Sequence, residues 1–206
     1  MPKIRRRVGK LYSKNMKTKL LCLMLMCASI TMFAEEHLKF KGVELNGPLQ
    51  EFVNQMESQG FTFKEEFSNG AIMKGAFMGY SNCDLFISTT PNTKLVWKVC
   101  VYLPEEKNSW YSLKSDYTKS VEAFTGKYGK PTDKFSFFSK PYYEGDGYEM
   151  TGVKNEKCHF SSYWELEKGT IVVQITKWCQ VSLGYEDKVN SDLREQEKNQ
   201  NAYNDI

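Results

Sequence analysis

The alternation of apolar and polar residues first indicates a short amphipathic helix, within the segment GPLQEFVNQMESQG. Its apolar residues recur every three or four positions, the period of one helix face: Leu49, Phe52, Val53 and Met56. Pro48 suits a first helical turn because it has no N–H to leave unpaired there, and Gly60 is typical of a helix end. We therefore predict a helix between Pro48 and Gly60.

A second, longer helix is predicted in NSWYSLKSDYTKSVEAFTGKYGKP. The side-chain oxygen of Ser109 can cap its first turn, and Gly129 followed by Pro131 ends the pattern. The apolar positions again follow one helix face: Leu113, Tyr117, Val121, Phe124 and Tyr128.

Each helix is followed by four short runs of aromatic and β-branched residues, which are typical of strands. The first four are FTFKEEF, AIMKGAFMG, CDLFIST and KLVWKVCVYL, and the second four are DKFSFFS, GYEMTGV, KCHFSSYWEL and TIVVQITKWCQVSL. The pattern predicts an α+β fold in which a helix plus four strands occurs twice, in residues 35–104 and 105–187. We expect the two tandem repeats to form one continuous antiparallel sheet with the helices packed on one face.

Residues 1–34 have the layout of a secretory signal peptide, in which lysines precede an apolar run from Leu20 to Phe33 that ends at Ala34. Translation from Met16 would give a signal of conventional length. The alternative is a transmembrane anchor, but the run is shorter than the roughly 20 residues that a spanning helix needs. The sequence therefore predicts a mature chain that is periplasmic or secreted, with no transmembrane span.

The charge balance changes when this segment is removed. The full chain has 28 Lys and Arg against 25 Asp and Glu, but eight of the basic residues and none of the acidic ones lie in residues 1–34. The remaining 20 basic and 25 acidic residues give a net charge of −5, which argues against nucleic acid as a partner. Lipoprotein anchoring at Cys27 is disfavoured because Met26 stands where lipoprotein signals carry a small residue.

Four cysteines remain outside the predicted signal, and an even number in an oxidising compartment suggests two disulfides. Directly opposed residues of a hairpin have a constant sum of positions. Two-residue turns at residues 91–92 and 168–169 would each place one cysteine opposite another, although longer loops or bulges shift the register. The expected disulfides are Cys83–Cys100 and Cys158–Cys179. A zinc or redox site is disfavoured because no short C-x-x-C spacing occurs, so we expect no metal or cofactor.

Aromatic residues are concentrated in the second half, where strand alternation sends some into the core and leaves others on the opposite sheet face. Exposed aromatic groups suit a protein or glycan partner. The candidate binding residues are Tyr143, Tyr148, Tyr163, Trp164 and Trp178.

Catalytic motifs are weak in this sequence. It contains no G-x-S-x-G, no H-E-x-x-H and no phosphate-binding glycine loop, and His37 lies beside the predicted cleavage point. Glu144, Asp146 and Glu149 could serve a small secreted hydrolase acting on glycan or peptide, but the glycines among them favour a structural turn. We expect a non-catalytic protein. Residues 188–206 are polar and predict a solvated helix end or a disordered tail.

The tandem layout resembles β-lactamase-inhibitor-type proteins, which are built from such helix-plus-four-strand repeats. The phrases HLKFKGVELNGPLQEFV and KVCVYLPEEKNSWYSLKSDYTKSVEAFTGKYGKP also look like uncharacterised small exported proteins of Bacteroides-type bacteria. The resemblance covers most of residues 37–185 and carries over no functional residue. It implies an interaction module that binds a partner through an exposed sheet face.

Overall fold

The computed structural model describes residues 36–104 and 106–204; the predicted signal segment, with Met16 and Cys27, lies outside them. The helices of the described part are α1 (Leu49–Ser58), α2 (Trp110–Tyr128), α3 (Glu149–Lys154) and α4 (Lys188–Asn204). Its strands are β1 (Lys39–Phe40), β2 (Val43–Glu44), β3 (Thr62–Phe67), β4 (Gly70–Phe77), β5 (Tyr80–Thr89), β6 (Val96–Tyr102), β7 (Asp133–Phe138), β8 (Cys158–Leu166), β9 (Gly169–Ile175) and β10 (Val181–Asp187).

Eight strands form one antiparallel sheet in the order β3-β4-β5-β6-β10-β9-β8-β7, and β1 pairs with β2 in a separate hairpin. The strands from β3 to β6 and those from β7 to β10 each follow one another across the sheet, and the two sets meet where β6 pairs with β10. Strands β3 and β7 are therefore the outer edges. The predicted α+β class is confirmed.

Both predicted helices are confirmed. Helix α1 begins directly after Pro48 and buries the apolar face that the sequence predicts. In α2 the Oγ of Ser109 accepts a hydrogen bond from the backbone N–H of Ser112 at 3.3 Å. Gly129 follows the last residue with φ +84°, a conformation that costs glycine little, and its N–H still bonds to Thr125.

The core lies between the helices and one face of the sheet, which we call the helix face. Phe124 of α2 packs against Trp164 and Tyr185, with ring centroids 5.6 and 6.0 Å apart. Tyr117 and Ser162 share a hydrogen bond of 2.8 Å across the same interface. The sheet contributes fully buried aliphatic residues that include Val99, Val101, Ile171, Val173 and Leu183.

One predicted strand is wrong: the segment 147–153 contains helix α3. Met150 and Val153 lie one turn apart and pack on the core, and Val153 is buried. Gly152 lies so close to Phe138 and Tyr142 that a Cβ would be 3.1 Å from each ring. Packing on the end of β7 decides this conformation, against the strand propensity of the isolated segment.

The predicted strand 170–183 is two strands, β9 and β10. The backbone turns between them because the N–H of Thr176 bonds to the carbonyl of Gln180 at 2.9 Å and Cys179 adopts φ +56°. Both sides of the turn are rich in β-branched and apolar residues, so the sequence pattern contains no clear break. The turn brings Trp178 to the end of the sheet.

The polar C-terminal segment is a helix, α4, that is tied to the sheet. Asn190 is buried, and its side-chain amide donates to the carbonyls of Leu45 and Val96 at 3.0 and 2.9 Å. His37, expected beside a cleavage point, is also buried and lies 3.0 Å from Asp187. Polar side chains thus hold both ends of the described chain in place.

The predicted cysteine register is wrong. Six residues, 90–95, separate β5 from β6, and a bulge precedes them. Cys100 therefore lies opposite Phe86. Cys83 lies opposite Gly75, and its side chain is on the other face of the sheet from that of Cys100. The β8–β9 turn is one residue earlier than predicted, because Leu166 pairs with Gly169. In the described residues all four cysteines are free thiols: Cys83, Cys100, Cys158 and Cys179.

Candidate functional site

The sheet face opposite the core, which we call the open face, carries side chains in continuous rows across the strands. The central row is Ile72, Phe86, Cys100, Gly184, Val172 and Tyr163. One neighbouring row is Lys74, Asp84, Tyr102, Ser182, Gln174, Ser161 and Phe135, and the other is Ser88, Lys98, Glu186, Thr170 and Glu165. Apart from the buried Ser182 and Gly184, these residues are partly or fully exposed.

Four charged groups of the open face form two ion pairs. Lys74 lies 3.3 Å from Asp84, and Lys98 forms an ion pair with Glu186. Aromatic rings and uncharged polar groups lie between these pairs, and Glu165 at the end of its row is exposed.

A cleft of about 350 Å³ lies at the end of the sheet beside the β9–β10 turn, where side chains of the open face and of the helix face both line it. Trp178 forms one wall, with 53% of the residue exposed and its ring 6.1 Å from that of Tyr102 in an edge-on arrangement. The Nζ of Lys177 lies 5.5 Å from the Trp178 ring centroid and 2.6 Å from Glu156. Gln174, Thr176 and Cys158 add further polar groups to the lining, and the volume falls within the usual range for ligand sites.

The ionisable groups of the cleft suit binding more than covalent chemistry. Burial raises the pKa of the Cys158 thiol to about 12, so the reactive thiolate is scarce at neutral pH. Burial, with a smaller effect of Cys100, also raises the pKa of Tyr102 to about 12 and keeps its phenol protonated. The hydrogen bond from Lys177 lowers the pKa of Glu156, which therefore stays ionised and paired.

A second aromatic group lies on the open face where β7 pairs with β8. Phe137 stacks on His159 with centroids 4.8 Å apart, and Phe135 meets Tyr163 at 6.2 Å. The Nε2 of His159 is 2.7 Å from the hydroxyl of Ser139, which fixes the imidazole ring. Both phenylalanines remain about half exposed although they lie on the outermost strand.

The predicted binding residues occupy three different places. Trp178 lines the cleft and Tyr163 lies on the open face, while Tyr143 and Tyr148 are exposed on the loop between β7 and α3. The prediction for Trp164 is wrong, because this side chain is 1% exposed on the helix face and its indole N–H donates to the carbonyl of Gly129 at 2.9 Å.

Other residues of the open face were not predicted as candidates: Phe86, Tyr102 and Gln174. The sequence signal for these residues is the alternation of side chains between the two faces of a strand. Each lies an even number of residues from another open-face residue on its own strand, as Tyr102 lies two residues from Cys100. That signal identifies a face only when one member is known to be exposed. The charged residues Asp84 on β5 and Lys98 on β6 alternate with apolar residues and supply that reference, so the sequence could have identified Phe86 and Tyr102.

The contacts of the acidic loop, residues 144–149, support its interpretation as a structural turn. Asp146 accepts hydrogen bonds from the backbone N–H groups of Tyr143 and Tyr148 at 2.9 and 2.7 Å. Glu149 accepts one from Gly145 at 2.8 Å, and Glu144 pairs with Lys114 and accepts from the indole of Trp110. These carboxylates hold the loop together, and no three metal-ligating side chains converge in the part of the chain that the structure describes.

Comparison with known proteins supplies no template for this surface. A scan against models of protein families, a search of curated proteins and a search of solved structures each found no match. In residues 36–104 and 106–204, no helix is long and apolar enough to cross a membrane. The class of the protein therefore follows from its fold, an α+β domain with one sheet face packed against helices and the other bearing exposed aromatic groups.

Proposed function

We propose that this chain is an exported, non-catalytic binding module of the bacterial envelope, which contacts a protein or a glycan through the open face. The observation that supports this most directly is the contact between the partly exposed Tyr102 and the exposed Trp178 at the end of that face, in a cleft that amide and charged groups also line. Rigid aromatic side chains bury a large area with little loss of conformational entropy, so they are effective anchors for a partner.

The dimensions of the open face are suited to a macromolecular partner. Eight strands at a spacing of about 4.8 Å give a width of roughly 34 Å, and strands of six to ten residues give a mean length of roughly 25 Å. The product, about 850 Å², is close to the roughly 800 Å² that each partner buries in a standard protein–protein interface. A small molecule would occupy only the cleft.

The proposed export and duplication rest on sequence and element order. The apolar run before Ala34 supports a secretory signal, and hence a periplasmic or secreted protein. The order α1 followed by β3 to β6, then α2 followed by β7 to β10, supports tandem helix-plus-four-strand repeats like those of inhibitor-type proteins. The two halves differ in that helix α3 occurs only in the second set and the β1–β2 hairpin precedes only the first.

The hydrolase alternative gains no support from the geometry. The loop that would supply its carboxylates uses them to bond its own backbone and Lys114. A hydrolytic pair would need one carboxyl group that takes a proton near neutral pH, but the hydrogen bond from Lys114 lowers the pKa of Glu144.

Binding assays with a matched pair of variants test the proposed function. The purified chain is applied to a glycan array and, in parallel, to crosslinked envelope extracts analysed by mass spectrometry. Trp178→Ala removes the exposed indole of the cleft, while Tyr111→Ala removes an 85% exposed ring from α2, away from the open face. We expect Trp178→Ala alone to lose the bound glycan or protein. Equal binding by both variants and the parent chain would contradict the proposal.

A further inference from the structure

The two outer strands of the sheet are protected to different degrees. Strand β3 carries Lys64, Glu65 and Glu66 in succession and has a bulge next to Phe63, both of which discourage pairing with another chain. Strand β7 has an unbroken register with β8 from Asp133 to Phe138, and five of its six residues are exposed. An exposed, regular edge with aromatic side chains is a template for a further strand.

The hydrogen-bonding groups of β7 that point away from the sheet can be assigned from its ladder. The N–H of Ser139 donates to the carbonyl of Lys157 at 2.8 Å, so these two residues form a hydrogen-bonded pair. Such pairs alternate along an antiparallel ladder, which means that Phe135 and Phe137 also direct their backbone groups toward β8. The residues between them direct their N–H and C=O groups outward: Lys134, Ser136 and Phe138.

We propose that β7 pairs antiparallel with β7 of a second copy of this chain, so that the two sheets join edge to edge. In the register centred on Ser136, that residue faces its own counterpart, and Lys134 faces Phe138 of the second copy. This register makes hydrogen-bonded pairs of all three outward-pointing residues in both copies. No other antiparallel register uses every outward-pointing group.

The side chains are complementary in the same register. Phe135 of one copy faces Phe137 of the other, twice, and these positions are the closely spaced pairs of an antiparallel ladder. Lys134 meets the ring of Phe138, which suits a cation–π contact on the helix face. The open faces of the two copies then continue into each other. This pairing does not depend on what the open face binds.

The exposed area predicts a reversible dimer. Phe135 and Phe137 are 45% and 50% exposed. With side chains of roughly 200 Å², the four rings would bury about 400 Å². Adding the backbone of two short strands still leaves the interface below the 1,200 Å² typical of stable complexes, so we expect a dissociation constant of roughly 10 to 100 μM.

Sedimentation velocity of the purified chain from about 5 to 300 μM tests the pairing, since this range brackets the expected constant. We expect a monomer–dimer equilibrium in the parent chain. Phe135→Lys combined with Phe137→Lys places like charges directly opposite each other and should leave only monomer. The matched control, Phe63→Lys combined with Phe67→Lys, makes the same change on β3, where those rings are 39% and 42% exposed, and should dimerise like the parent.

A crosslinking experiment tests the register without relying on the lysine variants. Chains carrying Phe135→Cys and chains carrying Phe137→Cys are mixed under mild oxidation. We expect a disulfide-linked heterodimer from the mixture, much more than from either chain alone or from the parent. A parent chain that stays monomeric at the highest concentration, a dimer unaffected by lysines on β7, or crosslinking that is equal in the mixture and the separate chains would each overturn the proposal.

Discussion

Asp187 holds the N-terminal part of the described chain through its buried carboxylate. Its carboxylate accepts hydrogen bonds from the backbone N–H groups of Leu38 and Asn190 at 2.8 and 2.9 Å and lies 3.0 Å from the His37 ring. It is fully buried, so water cannot replace it as a partner. One side chain thus joins the start of the described chain to the first turn of α4.

Asp187→Ala is expected to lower the free energy of unfolding by about 3 kcal/mol, because it leaves buried donors without an acceptor. Urea denaturation followed by circular dichroism measures the change. The control Asp192→Ala removes an exposed carboxylate from α4, the helix that directly follows Asp187, and should change stability by no more than about 0.5 kcal/mol. Equal effects of the two substitutions would show that the hydrogen-bond network is unimportant.

Glu197 makes the attachment of α4 sensitive to acid. Burial raises the pKa of this carboxyl, but the hydrogen bonds from Thr93 and from the backbone of Asn92 outweigh it and hold the pKa below its ordinary value. Folding therefore favours the ionised form. The resulting stability is complete above the unfolded pKa, about 4.3, and is lost as the pH falls through the folded pKa.

Glu197→Gln should make the protein lose less stability on acidification than the parent chain does. Urea midpoints at about pH 7 and about pH 3.5 compare the stability above and below the unfolded pKa. Glu122→Gln, which removes one negative charge from the exposed side of α2, serves as the control and should behave as the parent. If Glu197→Gln and the parent lose the same stability between the two pH values, the carboxylate does not stabilise the fold through its ionised form.

At the scale of the elements, tight backbone approaches determine where hairpins turn. Gly169 begins β9 with φ +149°, and a Cβ there would lie 2.1 Å from the carbonyl oxygen of Glu186 on β10. Gly126 in α2 has open space around its Cα and an exposed position. The same substitution at these two glycines should therefore have opposite effects.

We expect Gly169→Ala to destabilise the protein by more than about 2 kcal/mol, since backbone atoms must move to admit the methyl group. Gly126→Ala should stabilise it by about 0.5 to 1 kcal/mol, because alanine is the better helix former. Thermal unfolding of both variants beside the parent measures the difference. A loss of stability in Gly126→Ala would contradict the open space around Gly126, and an unchanged stability in Gly169→Ala would contradict the close approach of the Glu186 carbonyl.

Elements that are fixed by local contacts could be predicted from the sequence, and those that depend on distant contacts could not. The helices were predictable because their caps and apolar spacing are local, as Ser109 and Gly129 illustrate. The cysteine pairing was not, because an odd shift of register in the β5–β6 loop moves Cys100 to the opposite face from Cys83. Helix α3 forms because Val153 packs on the core, a contact that the local sequence does not contain.

The candidate binding residues were predictable only in part, again for a physical reason. Strand β8 carries aromatic side chains on both parities, so alternation alone cannot decide whether Tyr163 or Trp164 faces solvent. Burial by α2 decides it, and Trp164 becomes part of the core. Trp178 is exposed because it lies in the β9–β10 turn. Its exposure could not be predicted, since the sequence has no clear signal for that turn.

For the whole molecule, the asymmetry between the two sheet faces is the property from which the proposed function follows. One face is packed by helices into a single hydrophobic core, while the other presents Phe86, Tyr102 and Tyr163 with neighbouring amide and hydroxyl groups. In the cleft, the single thiol of Cys158 is free and the single carboxylate of Glu156 is paired with Lys177. These features fit the proposed binding surface.

Site-specific photo-crosslinking in cells that export the chain tests this account most directly. A benzophenone side chain is placed either at Gln174, on the open face beside the cleft, or at Glu122, on the exposed side of α2. We predict adducts with a defined partner from position 174 only, reduced about tenfold or more by Trp178→Ala, as expected for loss of an anchor residue. Adducts of equal yield from both positions, or from position 122 alone, would contradict the assignment of the open face as the binding surface.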